Sequence, residues 1–236
     1  MFPLTAKSFP RKPNCSAFSP IMLRHSCLLL LAALIVRGQA LDVARLELKN
    51  ARAEAVRYRG SPAIKLTISG APEDSDGFAI IKGTHFHNGT IDVDVAGAPE
   101  KAAGAGARGF IGINFRRQAG GSHWENIYIR PTNGRAEDQL RRNHSTQYTS
   151  HPDWPWERLR KETPGVYESY ADMAAGEWTH LRIVVHGVDA SLYVGGAEQP
   201  CLLVHDLKLG DVEGSIALWI GPGTEGYFRN LKISDK

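Results

Sequence analysis

The 236-residue chain carries 28 lysine and arginine side chains against 25 aspartate and glutamate side chains, a formal net charge of +3. Five basic residues and no acidic ones fall within residues 1–40, so the rest of the chain carries 23 basic and 25 acidic groups. Because that remainder lacks the basic excess typical of nucleic-acid-binding proteins, we expect no nucleic-acid partner.

The N-terminal segment has the layout of a secretory signal peptide. Met22–Ala40 begins with a basic stretch, continues with an apolar run over Cys27–Val36 and ends in small residues. That run is shorter than the roughly 20 apolar residues that span a bilayer, so we expect no membrane span after leader removal. We predict a leader over residues 1–40, starting at Met1 or at Met22, and a secreted or periplasmic protein. A retained N-terminal anchor is the alternative.

Residues 41–236 are dominated by short segments with a period of two. The segments are rich in Ile, Val and aromatic residues and are separated by Gly, Pro, Asn or Asp. They are VARLELK, AIKLTIS, GFAIIKG, TIDVDVAG, GFIGINFR, WENIYIR, THLRIVVHG, ASLYVGG, SIALWIG and YFRNLKIS. Such a series without amphipathic helices predicts antiparallel sheets packed face to face in a single domain. Its one cysteine, Cys201, cannot form an internal disulfide.

A long stretch over residues 130–162, RPTNGRAEDQLRRNHSTQYTSHPDWPWERLRKE, interrupts the series of strands. Between Arg130 and Lys161 it holds seven basic and four acidic side chains, so it is positive although the chain beyond the leader is slightly negative. WPWERLRKE predicts about two turns of helix, with a proline tolerated in the first turn. We predict that this stretch forms the wall of a ligand groove across a concave sheet.

The strand order carries a resemblance to a known fold. The segments that carry it are GEWTHLRIVV at Gly176–Val185, ASLYVGG at Ala190–Gly196, and the closing GSIALW and YFRNLKI. From Phe78 onward the chain resembles the concanavalin A-like jelly-roll superfamily, and more closely the laminin-G-like and 3-keto-disaccharide-hydrolase-like domains of exported bacterial proteins. The resemblance implies an all-β sandwich of two curved antiparallel sheets with one long, partly helical insertion. Lectins, glycosidases, lyases and adhesive modules share that architecture, so it does not decide the function.

A polar patch is predicted on two strands of this sandwich. Alternate residues of a strand share a face, which pairs Asn114 with Arg116 and Tyr128 with Arg130. Arginine and asparagine bind sugar hydroxyls, tryptophan stacks on sugar rings, and clustered arginines also suit an acidic sugar. We therefore predict a lectin-like carbohydrate-binding module. Its predicted ligand-binding residues are Asn114, Arg116, Tyr128, Arg130, Arg135, Arg142, His144 and Trp154. Alternatively, the arginines pair with neighbouring acids and the tryptophans anchor the insertion.

Two other functions remain open. The first is a glycoside hydrolase resembling the 3-keto-disaccharide hydrolases, with Asp138, His144 and Glu225 as acid–base candidates. Asp92 and Asp94 are weaker candidates, because DVDVAG departs from the Glu-x-Asp-x-x-Glu motif of some glucanases in the superfamily. The second is an adhesive or structural module that presents the insertion to a protein partner.

No cofactor and no metal site is predicted. His85 and His87 are spaced like a pair of metal ligands on a strand, but the sequence offers no identifiable third ligand. Calcium follows only from fold analogy, since PEDSDG at Pro72–Gly77 is typical of an ordinary turn.

Overall fold

A computed structural model of the chain describes residues 41–72 and 74–235. The predicted leader over residues 1–40 lies outside the described residues. Two antiparallel seven-stranded sheets form the described part, which confirms the predicted all-β sandwich. Within the same part, no helix is long and apolar enough to cross a membrane.

Fourteen strands and two short α-helices make up the described chain. The strands are β1 (Leu46–Lys49), β2 (Ala51–Tyr58), β3 (Ser61–Ile68), β4 (Gly77–Ile81), β5 (Gly89–Pro99), β6 (Ile111–Arg117), β7 (Trp124–Ile129), β8 (Thr146–His151), β9 (Glu168–Ser169), β10 (Thr179–His186), β11 (Asp189–Val194), β12 (Leu202–Val204), β13 (Ser215–Ile220) and β14 (Thr224–Asp235). The helices are α1 (Gln139–Asn143) and α2 (Trp156–Glu162). The first sheet has the order β1-β4-β13-β6-β7-β8-β9, and the second β12-β11-β10-β5-β14-β3-β2.

Apolar side chains of both sheets meet in one core. In β5, at the centre of the second sheet, Ile91, Val93 and Val95 are fully buried against the first sheet. The intervening Asp92 and Asp94 point to the opposite face, where both lie within hydrogen-bonding distance of His180. This is the period of two that the sequence predicts.

The stretch over residues 130–162 contains α1, α2 and one strand, β8. The helix predicted at WPWERLRKE is present as α2, whose Leu159 is buried in the core. Strand β8 pairs with β7 on one side and with β9 on the other, so it widens the first sheet. Its sequence, TQYTSH, has a single large apolar residue, Tyr148, and therefore lacks the alternation that marks the other strands.

Candidate functional site

The first sheet has a second apolar cluster on the face turned away from the core. Strand register places Phe78, Trp219, Gly112, Tyr128 and Gln147 side by side across five adjacent strands. A parallel row beside it contains Ala217, Asn114, Asn126 and Thr149. We call this surface the aromatic face and define it by Phe78, Asn114, Arg117, Trp124, Asn126, Tyr128, Thr149 and Trp219.

The rings of the aromatic face contact one another closely. The centroids of Tyr128 and Trp219 are 4.7 Å apart, and those of Phe78 and Trp124 are 5.4 Å apart in an edge-on arrangement. Gly112 lies between Tyr128 and Trp219, and a Cβ there would be 2.3 Å from the carbonyl oxygen of Ile127. A glycine at this position therefore permits the two rings to meet over the backbone.

Apart from Trp219 Nε1, whose side chain interacts with Asp76, five buried polar atoms of the aromatic face make no hydrogen bond with any described residue. They are Asn114 Oδ1, Arg117 Nη1, Trp124 Nε1, Asn126 Oδ1 and Thr149 Oγ1. Buried polar groups in native proteins are nearly always hydrogen-bonded, because leaving one unpaired costs about 1–3 kcal/mol. The set contains two acceptors, two donors and one hydroxyl that can do both, which matches a ligand rich in hydroxyl groups.

The predicted patch forms in part. Asn114 and Tyr128 belong to this face and Arg130 lies at one end of it, but the placement of Arg116 beside Asn114 is wrong. Arg116 lies at a bulge of β6 with φ of +49°, and its fully buried side chain donates to the carbonyls of other loops instead. Arg117 takes its place on the aromatic face, with its Cζ 4.5 Å from the ring of Phe78 and 4.8 Å from that of Trp124.

Arg130 is buried at one end of the aromatic face, where it orients Tyr128. Its Nη2 donates to the Tyr128 hydroxyl at 2.9 Å and to Gln147 Oε1 at 3.0 Å, and its Nη1 lies 3.4 Å from Glu168. Burial raises the pKa of Tyr128 to about 12, so its hydroxyl stays protonated at neutral pH. Since that oxygen accepts from Arg130, its own proton remains available to a ligand.

Beyond Arg130 lies a cavity of about 500 Å³, which we call the arginine pocket. Its walls are formed by the loop before β6, helix α1 and the start of α2. The lining residues used below are Arg108, Phe110, Arg130, Asp138, Leu140, Arg141, His144, Trp156 and Arg160.

Besides Arg116 and His144, three predicted ligand-binding residues lie outside the aromatic face. Arg135 forms an exposed ion pair with Asp172, with 2.8 Å between Nε and Oδ1. Arg142 donates to the Tyr170 hydroxyl at 3.1 Å and lies over that ring. The ring of Trp154 has Arg158 Cζ at 3.8 Å and Lys208 Nζ at 4.5 Å, so cations occupy it instead of a sugar.

The three acid–base candidates do not converge. Asp138 and His144 line the arginine pocket, where Asp138 accepts from the backbone nitrogen of Arg141 at 3.1 Å and so caps α1. Burial lowers the pKa of His144, against the opposing effect of Glu168. Glu225 lies on β14 of the other sheet, 2.5 Å from Lys65 Nζ. The predicted pairing of Glu225 with Asp138 or His144 is therefore wrong.

One carboxyl that the sequence did not indicate as a site residue lies at the aromatic face. Asp76 immediately precedes β4, and burial raises its pKa from 3.8 to about 6, while interaction with the Trp219 side chain opposes the rise. Asp76 therefore can exchange a proton near neutral pH.

Neither histidine of the THFH segment forms part of a metal cluster in the structure. His87 Nε2 lies 2.6 Å from Asp211 Oδ1. Within residues 41–72 and 74–235, no three His, Cys, Asp or Glu side chains are grouped as metal ligands.

Comparison with known proteins establishes the architecture. No family profile and no curated protein matches the chain. Among solved structures, the Bacillus subtilis carbohydrate-binding module CBM66 superposes with a TM-score of 0.56 at 13% identity, over 81% of this chain and 96% of that one. A Bacillus subtilis protein of galectin-like fold superposes with a TM-score of 0.51 at 10% identity, over 82% and 90% of the two chains. The chain has the concanavalin A-like jelly-roll fold. At such identities the likeness is one of fold alone.

Proposed function

We propose that the protein binds carbohydrate on the aromatic face. The observation that carries this proposal is the set of five buried polar atoms without a partner, placed among aromatic rings. The fold supports it, because a carbohydrate-binding module is among the structures that superpose on this chain.

The aromatic face offers groups that complement both the hydroxyl groups and the apolar C–H faces of a sugar ring. The amide oxygens of Asn114 and Asn126 accept hydrogen bonds from hydroxyls, and the Trp124 indole and the Arg117 guanidinium donate to hydroxyl oxygens. The apolar C–H faces of the sugar pack on the aromatic rings, as Trp and Tyr side chains favour. A ligand that makes these bonds removes the cost of the unpaired groups, and that gain favours the bound state.

Thr149→Val provides a test that separates binding from stability. Thr149 Oγ1 has no partner among the described residues, so its replacement by a methyl group leaves the free energy of unfolding unchanged or raises it. Loss of one hydrogen bond to the ligand weakens binding about 3- to 10-fold. The full-length protein is screened on a glycan array, and the affinity for the best glycan is then measured by calorimetry.

Thr146→Val is the matched control on the same strand. Thr146 Oγ1 contacts Ser169 Oγ at 2.7 Å and lies on the opposite face, so its loss lowers the free energy of unfolding by about 1 kcal/mol and spares binding. Equal affinity of the Thr149 variant and the wild type contradicts the proposed site. A well-folded protein that binds no glycan contradicts the proposed function and favours the adhesive module.

Sugar cleavage is a second candidate, and Asp76 is the observation that favours it. A carboxyl with a pKa of about 6 beside Trp219 can act as a general acid. Hydrolases normally need a second carboxylate about 5–9.5 Å away. Glu168 belongs to the same row of the face, but its strand lies five positions from β4, roughly 24 Å at a strand spacing of about 4.8 Å. Sugar products that disappear in Asp76→Asn but not in Asp74→Asn support cleavage; binding without product supports a lectin-like module.

We also propose that the protein is exported to the periplasm or the exterior. The basic start, apolar run and small residues of Met22–Ala40 support a cleaved leader. N-terminal sequencing of the protein recovered from a bacterial expression host tests this. A mature N terminus near residue 41 in the exported fraction is expected, whereas an uncleaved chain that remains with the cells contradicts the proposal.

A further inference from the structure

The arginine pocket combines an excess of positive charge with an exposed apolar wall. Four arginines line it, whereas Asp138 is the one acidic residue among the described lining residues, with Glu168 adjoining and Glu157 acting on Arg160. Trp156 is 38% exposed and Leu140 67% exposed, so large apolar surface remains open beside the guanidiniums. Arg160 Cζ lies 4.6 Å from the centre of the Trp156 ring, a favourable cation–π contact that still leaves the indole partly exposed at the pocket.

Glu168 accounts for only part of this charge. Its buried carboxylate forms ion pairs with Arg130, Arg160 and His144, and the two bonds from Arg160 are bidentate. One carboxylate thus lies among three potentially cationic groups. Arg130 and Arg160 are held in place by it and are not free to bind a second anion closely.

Arg108 and Arg141 are the cations of the pocket without a carboxylate partner among the described residues. Arg108 uses only Nη1, which donates to the carbonyls of Ala105 and Ala107 at 2.6 and 2.9 Å. Arg141 donates through Nε to Asn133 Oδ1 at 2.9 Å and through Nη2 to Thr132, which leaves Nη1 free. Burial and the charges of Arg141 and Arg130 lower the pKa of Arg108, which shows that these guanidiniums are near one another.

From this geometry we infer that Arg108 and Arg141 bind the carboxylate or sulfate group of an acidic saccharide. The inference rests on the proposed function, because the pocket adjoins the aromatic face at Arg130, which donates to Tyr128. The neutral part of the saccharide lies on the aromatic face, and the acidic residue enters the pocket beside Arg108 and Arg141. Two half-buried guanidiniums with free N–H groups fit such an oxyanion, and their bonds to it are charge-assisted.

The experiment compares acidic glycans with their neutral counterparts. The full-length protein is applied to an array that carries glucuronate, galacturonate, sialate and sulfate glycans beside the matched glycans that lack the acidic group. We expect at least a 10-fold preference for one acidic class, which decides between carboxylate and sulfate as the ligand group. The preference should shrink as salt is raised, because screening weakens half-exposed ion pairs.

Two variants and one control locate the site. Arg108→Gln and Arg141→Gln each weaken binding of the acidic glycan about 10- to 100-fold and leave the neutral counterpart within about 2-fold. Arg52→Gln is the matched control, since Arg52 is exposed on β2 and pairs with Glu54. Arg108 is bonded only to carbonyls of its own loop, so its substitution tests the pocket even where Arg141→Gln disturbs α1.

The possible failures are distinguishable. Equal binding of acidic and neutral glycans, or an acidic preference that survives both substitutions, overturns the arginine pocket and leaves carbohydrate binding on the aromatic face intact. Absence of binding to every glycan overturns both proposals together.

Discussion

Arg116 and Arg117 are neighbours in the chain, yet their side chains leave β6 on opposite sides of the first sheet. The left-handed backbone of Arg116, with φ of +49°, forms a bulge opposite β13. Arg116 donates to the carbonyl oxygens of His87, Gly187 and Gly210 at 2.6–3.1 Å and so joins three loops at one end of the sandwich. Arg117 lies over the rings of the aromatic face. The bulge thus places one arginine of the pair among the loops at the end of the sandwich and the other on the aromatic face.

The two arginines should respond differently to the same substitution. Arg116→Met removes the fully buried donor that holds three loop carbonyl oxygens and lowers the free energy of unfolding by about 3 kcal/mol or more. Arg117→Met removes a cation from two aromatic rings and a bond to Gly121, which costs about 1–2 kcal/mol, but it also weakens glycan binding. Urea unfolding and calorimetry measure the two effects. Similar losses of stability in both variants would contradict the assignment.

The bulge also explains why the sequence does not predict which of the two arginines lies on the aromatic face. Alternation along β7 places Tyr128 on the aromatic face, and the same rule applied two and four residues earlier would have found Asn126 and Trp124. The rule fails at Arg116, because an extra residue in a strand makes each following side chain point to the opposite face of the sheet. Nothing in NFRR signals that bulge, so the correct arginine could not be chosen from the sequence.

The partners of the arginines in and near the arginine pocket could not be predicted from the sequence either. The fold follows from the spacing of apolar residues, which the sequence displays directly. The partners that hold an arginine come from distant parts of the chain. Arg135 forms an ion pair with Asp172, and Arg142 donates a hydrogen bond to Tyr170. Arg108, which has no carboxylate partner among the described residues, belongs to a loop outside the arginine-rich stretch. The sequence therefore indicated where the positive charge lies but not which guanidiniums are held by a partner.

Gly112 should tolerate no side chain. A Cβ at this position would be 2.3 Å from Ile127 O and 2.5 Å from Tyr128 Cα, and both are backbone atoms that cannot move cheaply. Gly112→Ala is expected to lower the free energy of unfolding by about 1–3 kcal/mol and to weaken glycan binding by displacing Tyr128 from Trp219. Gly104→Ala is the control, since no atom lies within 4 Å of its added Cβ. Comparable stability of the two variants in urea would contradict this packing.

Asp76 should make stability fall as the pH rises. Its pKa is near 6 in the folded protein and 3.8 in ordinary surroundings, so the folded state binds a proton more tightly than the unfolded state. The contribution to folding is complete below about pH 4 and is lost as the pH rises to about 6. The free energy of unfolding, measured in urea from pH 3.5 to 8, should therefore decline across this window in the wild type and much less in Asp76→Asn. Asp74→Asn, on the same turn, should follow the wild type.

The hydroxyl group of Tyr148 should stabilise the sandwich through a buried hydrogen-bond network. That hydroxyl donates to Glu125 Oε2 at 2.7 Å and accepts from the backbone nitrogen of Lys208 at 2.7 Å, while Glu125 Oε1 accepts from the nitrogen of Leu209 at 2.7 Å. Burial raises the pKa of Glu125, while the hydrogen bonds from Tyr148 and Leu209 oppose that rise.

Tyr148→Phe keeps the ring and removes only the hydroxyl. The loss leaves both a buried carboxyl oxygen and a backbone N–H short of a partner, and we expect about 1–3 kcal/mol less free energy of unfolding. Glu125→Gln should cost a similar amount, and the double variant less than the sum of the two, because the residues belong to one network. Tyr170→Phe is the matched control, since Tyr170 is 39% exposed and its hydroxyl can bond water instead. Strict additivity in urea unfolding would show that the hydroxyl and the carboxyl act independently.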